Sequence, residues 1–279
     1  MAGRSALINV MHKASQSASR RMMRDFGEVE NLQVSRKGAA DFVSQADITA
    51  ERTLREELEK ARPGYGFIME EGGTVAGAHA DSPVWIIDPI DGTTNFLHGI
   101  PHFAISLAVM EKGRLLAGTI FDPARNEFFY AEAGKGAFLN DRRMRVSGRR
   151  AMPESLFATG IPFLGRGTDE TDTQFLAELK TIMQASSGVR RMGAASLDLA
   201  WVAAGRYEGY WERGLNIWDI AAGVILVREA GGFVSDFAAR DKALESATWS
   251  QPMPRCMCRF LNYSAALDSA FTDLNGQPA

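Results

Sequence analysis

The stretch Trp85-Ile-Ile-Asp88-Pro89-Ile90-Asp91-Gly92-Thr93-Thr94-Asn95-Phe96 constrains the fold of this chain more than any other. Residues 84–87 are an apolar run of strand length stopped by Asp-Pro, the pattern of a buried strand. That strand delivers two carboxylates, three residues apart, onto a tight turn, and Gly-Thr-Thr opens a new segment. Two carboxylates with the Ile90 carbonyl make an all-oxygen pocket suited to a hard cation such as Mg²⁺. The amides of Gly92 and Thr93, facing outward at a helix start, suit a phosphate group. A plain turn accounts for Asp-Pro. It does not account for two acids and Gly-Thr-Thr directly behind a buried strand.

Around this motif the texture changes once along the chain. Helical spacing covers about 4–25 and 47–61, the second stopped by Arg62-Pro63-Gly64. A short strand at 66–69 runs into Glu70-Glu71 and a glycine-rich loop from 72 to 82. Residues 103–146 read as a β-meander, punctuated by Lys112-Gly113, Asp122-Pro123, Gly134-Lys-Gly136 and Asn140-Asp141. Beyond about 150 strands and helices alternate: strands at 155–159, 188–191, 207–211 and 232–235, helices at 169–185, 195–204 and 217–230. The expectation is an α+β part over 1–147 against an α/β part over 148–279, forming one compact unit.

Composition excludes several classes. Of 279 residues, 46% are apolar and 23% charged, as in a folded globular chain rather than a disordered or fibrous one. The longest apolar runs, such as 220–227, stop far short of the roughly 20 residues of a membrane span. A net charge of −3 and a pI near 5.9 argue against a general nucleic-acid binder. Cys256 and Cys258 have no second pair or histidine cluster to complete a zinc site, so neither structural zinc nor a disulfide scaffold is expected, and the chain reads as cytoplasmic. The basic, serine-rich start over 1–24 has the flavour of a transit peptide. Leu7, Ile8, Met11, Ala14 and Ala18 at helical spacing favour a first amphipathic helix instead.

Two further acidic positions could complete a cluster. Glu70-Glu71 ends a short strand, so a neighbouring strand would set Glu70 beside Asp88. Asp219, in Trp218-Asp-Ile-Ala-Ala-Gly223, stands at the start of an apolar helix, where a first-turn acid is also a plain capping device. Four such acids could hold two or more cations about 4 Å apart, the arrangement used for in-line displacement at phosphorus.

With Asp88-Pro-Ile-Asp-Gly-Thr-Thr-Asn95, Glu70-Glu71 and Trp218-Asp-Ile-Ala-Ala-Gly223 with its trailing Glu229-Ala-Gly-Gly232 in order, the chain resembles the inositol monophosphatase family from about residue 5 to about 245. Glu28-Val-Glu-Asn31, Arg36-Lys-Gly38 and Arg190-Arg-Met-Gly193 look closest to its bacterial extragenic-suppressor (SuhB-type) branch. The resemblance implies a layered α-β-α-β-α sandwich and a Mg²⁺-dependent, lithium-sensitive phosphomonoesterase acting on a small phosphorylated polyol as a homodimer. Glu70, Asp88 and the Ile90 carbonyl would hold a first Mg²⁺, Asp88, Asp91 and Asp219 a second, and Glu70 with waters a weaker third. Thr93, oriented by Asp47, would help activate the attacking water, and the Gly92 and Thr93 amides would hold the phosphate. Ala195 and Glu212 match positions that contact the inositol ring, with Asp91 and Asp219 between ring and metal. Histidinol phosphate, fructose 1,6-bisphosphate and 3′-phosphonucleotides are alternative substrates, and contact with transcription machinery an alternative role.

The chain departs from the family pattern in three places. Met69 stands where many relatives have Gly, and Ala194 replaces a Thr or Ser, which removes a hydroxyl beside the sugar pocket. Ala247-Thr-Trp-Ser-Gln-Pro252-Met-Pro254-Arg-Cys256-Met-Cys258 replaces a strand of the type Gly-Asp-Ile-Val-Ala-Ala-Asn, and two prolines make it a poor strand. A back-translation shifted by one base spells a family-like strand, so a compensated frameshift over 247–258 is the reading. His98 and His102 read as surface or packing groups, and Arg142-Arg143-Met-Arg145 with Arg149-Arg150 as a solvated turn. Trp201, Tyr207, Tyr210 and Trp211 read as packing.

Overall fold

The computed structural model describes residues 3–28, 34–38, 41–162, 169–235 and 256–259. Helix α1 (Ala6–Phe26) starts at Ser5, whose hydroxyl accepts a hydrogen bond from the Ile8 amide, and buries Ile8, Met11, Ala14, Ala18 and Met22 along one stripe. A hairpin of β1 (Val34–Gly38) and β2 (Asp41–Ser44) leads into α2 (Gln45–Ala61), which buries Leu54 and Leu58. The basic N-terminal stretch is therefore mostly helix, as its spacing requires.

The main sheet holds β3 (Gly66–Met69), β4 (Gly73–Val75), β5 (Val84–Asp91), β6 (Ala104–Glu111), β7 (Arg114–Asp122), β8 (Glu127–Glu132), β9 (Gly136–Leu139) and β10 (Arg142–Met144). Among the described residues its order is β10-β9-β8-β7-β6-β5-β3-β4. Neighbours run antiparallel except β3 and β5, which are parallel. A second sheet has the order β12-β11-β13-β15-β14, from β11 (Leu156–Thr159), β12 (Gly188–Arg190), β13 (Gly209–Glu212), β14 (Phe233–Ser235) and β15 (Cys256–Arg259). Helices α3 (Thr93–Leu97), α4 (Asp169–Ala185), α5 (Ala195–Ala203) and α6 (Ile217–Glu229), with a short 3-10 turn at Met152–Glu154, complete the elements among the described residues.

Strand alternation explains the layering. Trp85, Ile87, Leu107, Val109, Phe121 and Phe128 point to one face of the main sheet and pack with the apolar stripes of α1 and α2. Their neighbours Ile86, Ala108, Ile120 and Phe129 point to the other face and pack against α5 and α6. Those two helices are apolar nearly all round because they lie between the sheets, with Tyr210 and Val234 of the second sheet in the same core. On the far side of that sheet, Phe175 and Ile182 of α4 meet Phe157 and Trp211. The result is the expected α-β-α-β-α sandwich. Each fully buried large side chain contributes about 1.5–3 kcal/mol relative to exposure, so the 84–91 strand, buried on both faces, is among the most firmly held parts of the molecule.

Three readings need correction. The 72–82 loop contains the short edge strand β4. Arg142–Met144 form the opposite edge, where exposed Arg142 and Arg143 suit a strand that must not pair further. Of the stretch 247–258, expected to be a poor strand, the described Cys256–Cys258 belong to β15, which lies antiparallel between β13 and β14. Its four residues can all donate to a ladder; 247–255, with Pro252 and Pro254, lie outside the described residues. No helix among the described residues is long and apolar enough to cross a membrane.

Candidate active site

The parallel pairing of β3 and β5 decides where the first acids meet. Its register sets Met69 opposite Ile87, and the Glu70 amide donates to the Ile87 carbonyl at 3.2 Å, carrying the ladder one residue past the strand. Glu70 and Asp88 therefore stand side by side just past the last β3–β5 pair. Glu51 of α2 holds this corner, since its Oε2 accepts the Glu71 amide at 2.9 Å.

Asp88 and Asp91 are three apart and would point to opposite faces of a regular strand. Against β6, however, Asp88 pairs with Ser106 and Asp91 with Ala104, three steps on one strand matched by two on the other. This one-residue bulge turns both carboxylates to one side. An Asx turn steadies the bend, with the Ile90 amide donating to Asp88 Oδ1 at 3.0 Å. Gly92 follows at φ 92°, a left-handed conformation, and a Cβ there would lie 3.0 Å from the His102 carbonyl oxygen and 3.3 Å from that of Gly193. The chain then enters α3, whose first amides point out of the helix start.

Asp47 and Asp219 arrive by one device used twice. Each is the third residue of a helix and closes a capping box. Asp47 Oδ2 accepts from the Ser44 amide at 2.8 Å and from the Ser44 hydroxyl at 2.6 Å, which leaves Oδ1 for Thr93. The Thr93 hydroxyl lies 3.1 Å from Asp47 Oδ1 and 2.9 Å from the Ile90 carbonyl oxygen, so its one proton is shared between them. Asp219 Oδ2 accepts from the Asn216 amide at 2.6 Å. Ser106, opposite Asp88 in the sheet, donates to the Trp218 carbonyl at 3.2 Å and so fastens the start of α6 over the cluster. The capping reading of Asp219 holds, and the same carboxylate lies close enough to Glu70 and Asp91 to feel their charge.

The electrostatics are those of carboxylates buried close to one another. Burial raises the proton affinity of Asp88, and Glu70, Asp91 and Asp219 raise it further. Asp219 is raised by burial, then by Glu70 and Asp91. Asp91 is pushed to about 6 by burial, against hydrogen bonds from Ser196 and Ala195 that favour its charged form. Glu212, at the end of β13, is lifted to about 7 by burial, although the Tyr210 hydroxyl donates to its Oε2 at 2.5 Å. Beneath it Gly160 has no room for a Cβ, and Asp198, 1% exposed, carries an Oδ1 without a partner.

Every sequence-predicted site residue thus reaches one region: Glu70, Asp88, Ile90, Asp91 and Asp219 as the acidic cluster, Asp47 and Thr93 on one flank, Gly92 at the turn, Ala195 and Glu212 on the other flank. As they stand, no three acidic, histidine or cysteine side chains among the described residues form a finished coordination sphere. The donor set nevertheless fits a hard divalent cation: oxygen only, part-buried, and mutually repelling, so that a positive charge relieves every pair at once. His98 is exposed, and His102 is buried edge-on against Trp201.

Sequence reasoning missed Ser44, Glu51, Asn95 and Ser196. Ser44 was findable, since Ser-x-x-Asp before an apolar run is a capping-box signature. Asn95 was not: its amide donates to the carbonyls of His102 and Met192, both at 2.8 Å, the second a tertiary contact 97 residues away.

Comparison with known proteins agrees with this geometry. The model of the inositol monophosphatase family matches residues 4–255. An inositol-1-monophosphatase of Rhizobium meliloti is 55% identical over 245 residues, covering 88% of this chain and 91% of the relative. A Nus factor SuhB of Pseudomonas aeruginosa is 45% identical, covering 86% and 88%. The crystal structure of extragenic suppressor protein suhB from Bartonella henselae superposes with a TM-score of 0.88 at 47% identity, over 96% of this chain and 98% of that one.

Proposed function

Since the chain belongs to the inositol monophosphatase family and is a phosphatase, we propose that it hydrolyses myo-inositol monophosphate to inositol and phosphate with Mg²⁺ as cofactor. The observation that carries this reading is the convergence of Glu70, Asp88, Asp91 and Asp219, whose charges act on one another at the end of the 84–91 strand. Glu70, Asp88 and the Ile90 carbonyl would hold one Mg²⁺, Asp88, Asp91 and Asp219 a second, and Glu70 with waters a third. Bound there, the cations would acidify a water, neutralise phosphate charge and stabilise the leaving alkoxide, so that no covalent nucleophile is required.

The chain's own groups do the rest. The Gly92 and Thr93 amides would hold the phosphate oxygens, helped by the positive end of α3. Thr93 would accept a proton from the attacking water as its own hydroxyl proton passes to Asp47 Oδ1, and Ser44 keeps Asp47 aimed for that transfer. Glu212 and the Ala195 backbone would contact ring hydroxyls, with Asp91 and Asp219 between ring and metal. Parts 1–147 and 148–279 would act as one unit, because Asp91 and Asp219 come from opposite sides of that division. We further propose a cytoplasmic homodimer.

The test is phosphate release from inositol 1-phosphate, histidinol phosphate, fructose 1,6-bisphosphate and 3′-phosphoadenosine 5′-phosphate, each with Mg²⁺, without metal, and with Mg²⁺ plus Li⁺. Mg²⁺-dependent, Li⁺-sensitive turnover led by inositol 1-phosphate is expected. Preference for another substrate would reassign the chain within the fold.

A second reading, contact with transcription machinery, is favoured by the Nus factor SuhB names of relatives matched over most of the chain. Association of an inactive Asp88→Asn protein with RNA polymerase or antitermination factors would support it.

A further inference from the structure

Helix α5 starts without a cap of its own. Ala194 stands at its N-cap and offers no hydroxyl. The cap is supplied from across the molecule by Asp91, whose carboxylate lies in a cradle of the Ala195, Ser196 and Leu197 amides. The two oxygens are held unequally. Oδ1 accepts from the Ala195 amide at 3.2 Å, while Oδ2 takes two short bonds from one residue, 2.7 Å from the Ser196 amide and 2.5 Å from the Ser196 hydroxyl. Ser196 is wholly buried, so water does not compete for that hydroxyl. Ser196 stands in the first turn of α5, and its hydroxyl is spent on a carboxylate 105 residues away.

The amides would be present with any residue at these positions. Only the hydroxyl depends on residue 196 being serine. We propose that Ser196 is a positioning residue for the phosphatase site: its hydroxyl clamps Oδ2 of Asp91, leaves Oδ1 as the oxygen that takes up a cation, and thereby sets the affinity of the second cation site. This rests on the reading that the acidic cluster binds divalent cations. The physical reason is that Asp91 faces the like charges of Asp88 and Asp219, which would swing a loosely held carboxylate away. Loss of an outer-shell partner that orients a ligating side chain costs about 10–100-fold in metal affinity.

The experiment compares the full chain with Ser196→Ala. Mn²⁺ binding is followed by the electron-paramagnetic-resonance signal of free ion, and turnover of inositol 1-phosphate by Mg²⁺ titration. One class of bound Mn²⁺ is expected to weaken by about 10–100-fold while another holds. The Mg²⁺ concentration for half-maximal activity should rise by a similar factor, and kcat at saturating Mg²⁺ should fall by less. Unchanged Mn²⁺ affinity overturns the assignment, as does an equal loss in every class. A lower Tm in EDTA with unchanged Mn²⁺ affinity would make Ser196 a packing residue. If the parent protein itself holds no Mn²⁺, the cluster reading fails first, an outcome distinct from a parent that binds and a variant that matches it.

Discussion

Asp88 is 2% exposed and faces three other carboxylates, so holding it charged weighs against the folded state whenever no cation offsets it. Asp88→Asn should therefore raise metal-free stability, since the amide oxygen can still accept from the Ile90 amide. The same change should cut Mg²⁺-dependent turnover by more than about 100-fold, beyond the usual cost of an outer-shell loss. Thermal unfolding in EDTA beside a phosphate-release assay checks both; a variant less stable than the parent without metal would sink the argument. Thr93 makes a different case, because its hydroxyl lies between Asp47 and the Ile90 carbonyl. Thr93→Ala should lower kcat by about 10²–10⁴-fold, the range of general acid–base assistance, with a smaller change in KM. A change mainly in KM would assign Thr93 to binding alone.

At the scale of elements, the β5 bulge and the start of α3 do the aiming. Gly92 cannot be replaced cheaply: the left-handed backbone costs about 1–2 kcal/mol for any L side chain, and a Cβ would press on two carbonyl oxygens. Gly92→Ala should lower the unfolding free energy by at least that amount and depress activity further, as the α3 amides shift; urea unfolding and saturation kinetics on one preparation read both. Most elements were legible because their signals are local. The apolar stripe of α1, the stop at Pro63-Gly64 and the glycine punctuation of the meander all lie within a few residues of what they determine. The missed strands are those without such a signal. β1 and β2, absent from the sequence reading, pair only with each other, and β4 and β10 have three residues each at sheet edges, where a neighbour offers a ladder. β15 likewise takes its place from β13 and β14 rather than from strong strand propensity.

The whole molecule responds to pH through groups that packing has stripped of water. His102 is buried against Trp201, neither ring nitrogen has a hydrogen-bond partner, and burial followed by the charge of Arg125 lowers it from 6.5 to about 4. The unfolded chain takes up this proton near pH 6.5 and the folded chain only near 4. Stability from this group is thus complete above about 6.5 and is lost as pH falls toward 4, by about 3 kcal/mol at most. His102→Phe should flatten that part of the stability–pH curve, measured as the difference in urea midpoints between pH 7 and pH 4.5; equal slopes would remove His102 as the cause. The same distinction separates what each level of description decides. The helix and strand periods, the acids and glycine of the 84–96 stretch and the family they mark were legible in the residues alone, because these are short-range patterns of side-chain chemistry. That Asp88 and Asp91 share a face, that Asp219 is fastened over them through Ser106, and that Ser196 holds Asp91 came from the packed fold alone. Those facts depend on strand register and on contacts between residues about 100 positions apart, where packing of the layers, rather than local propensity, selects the partner.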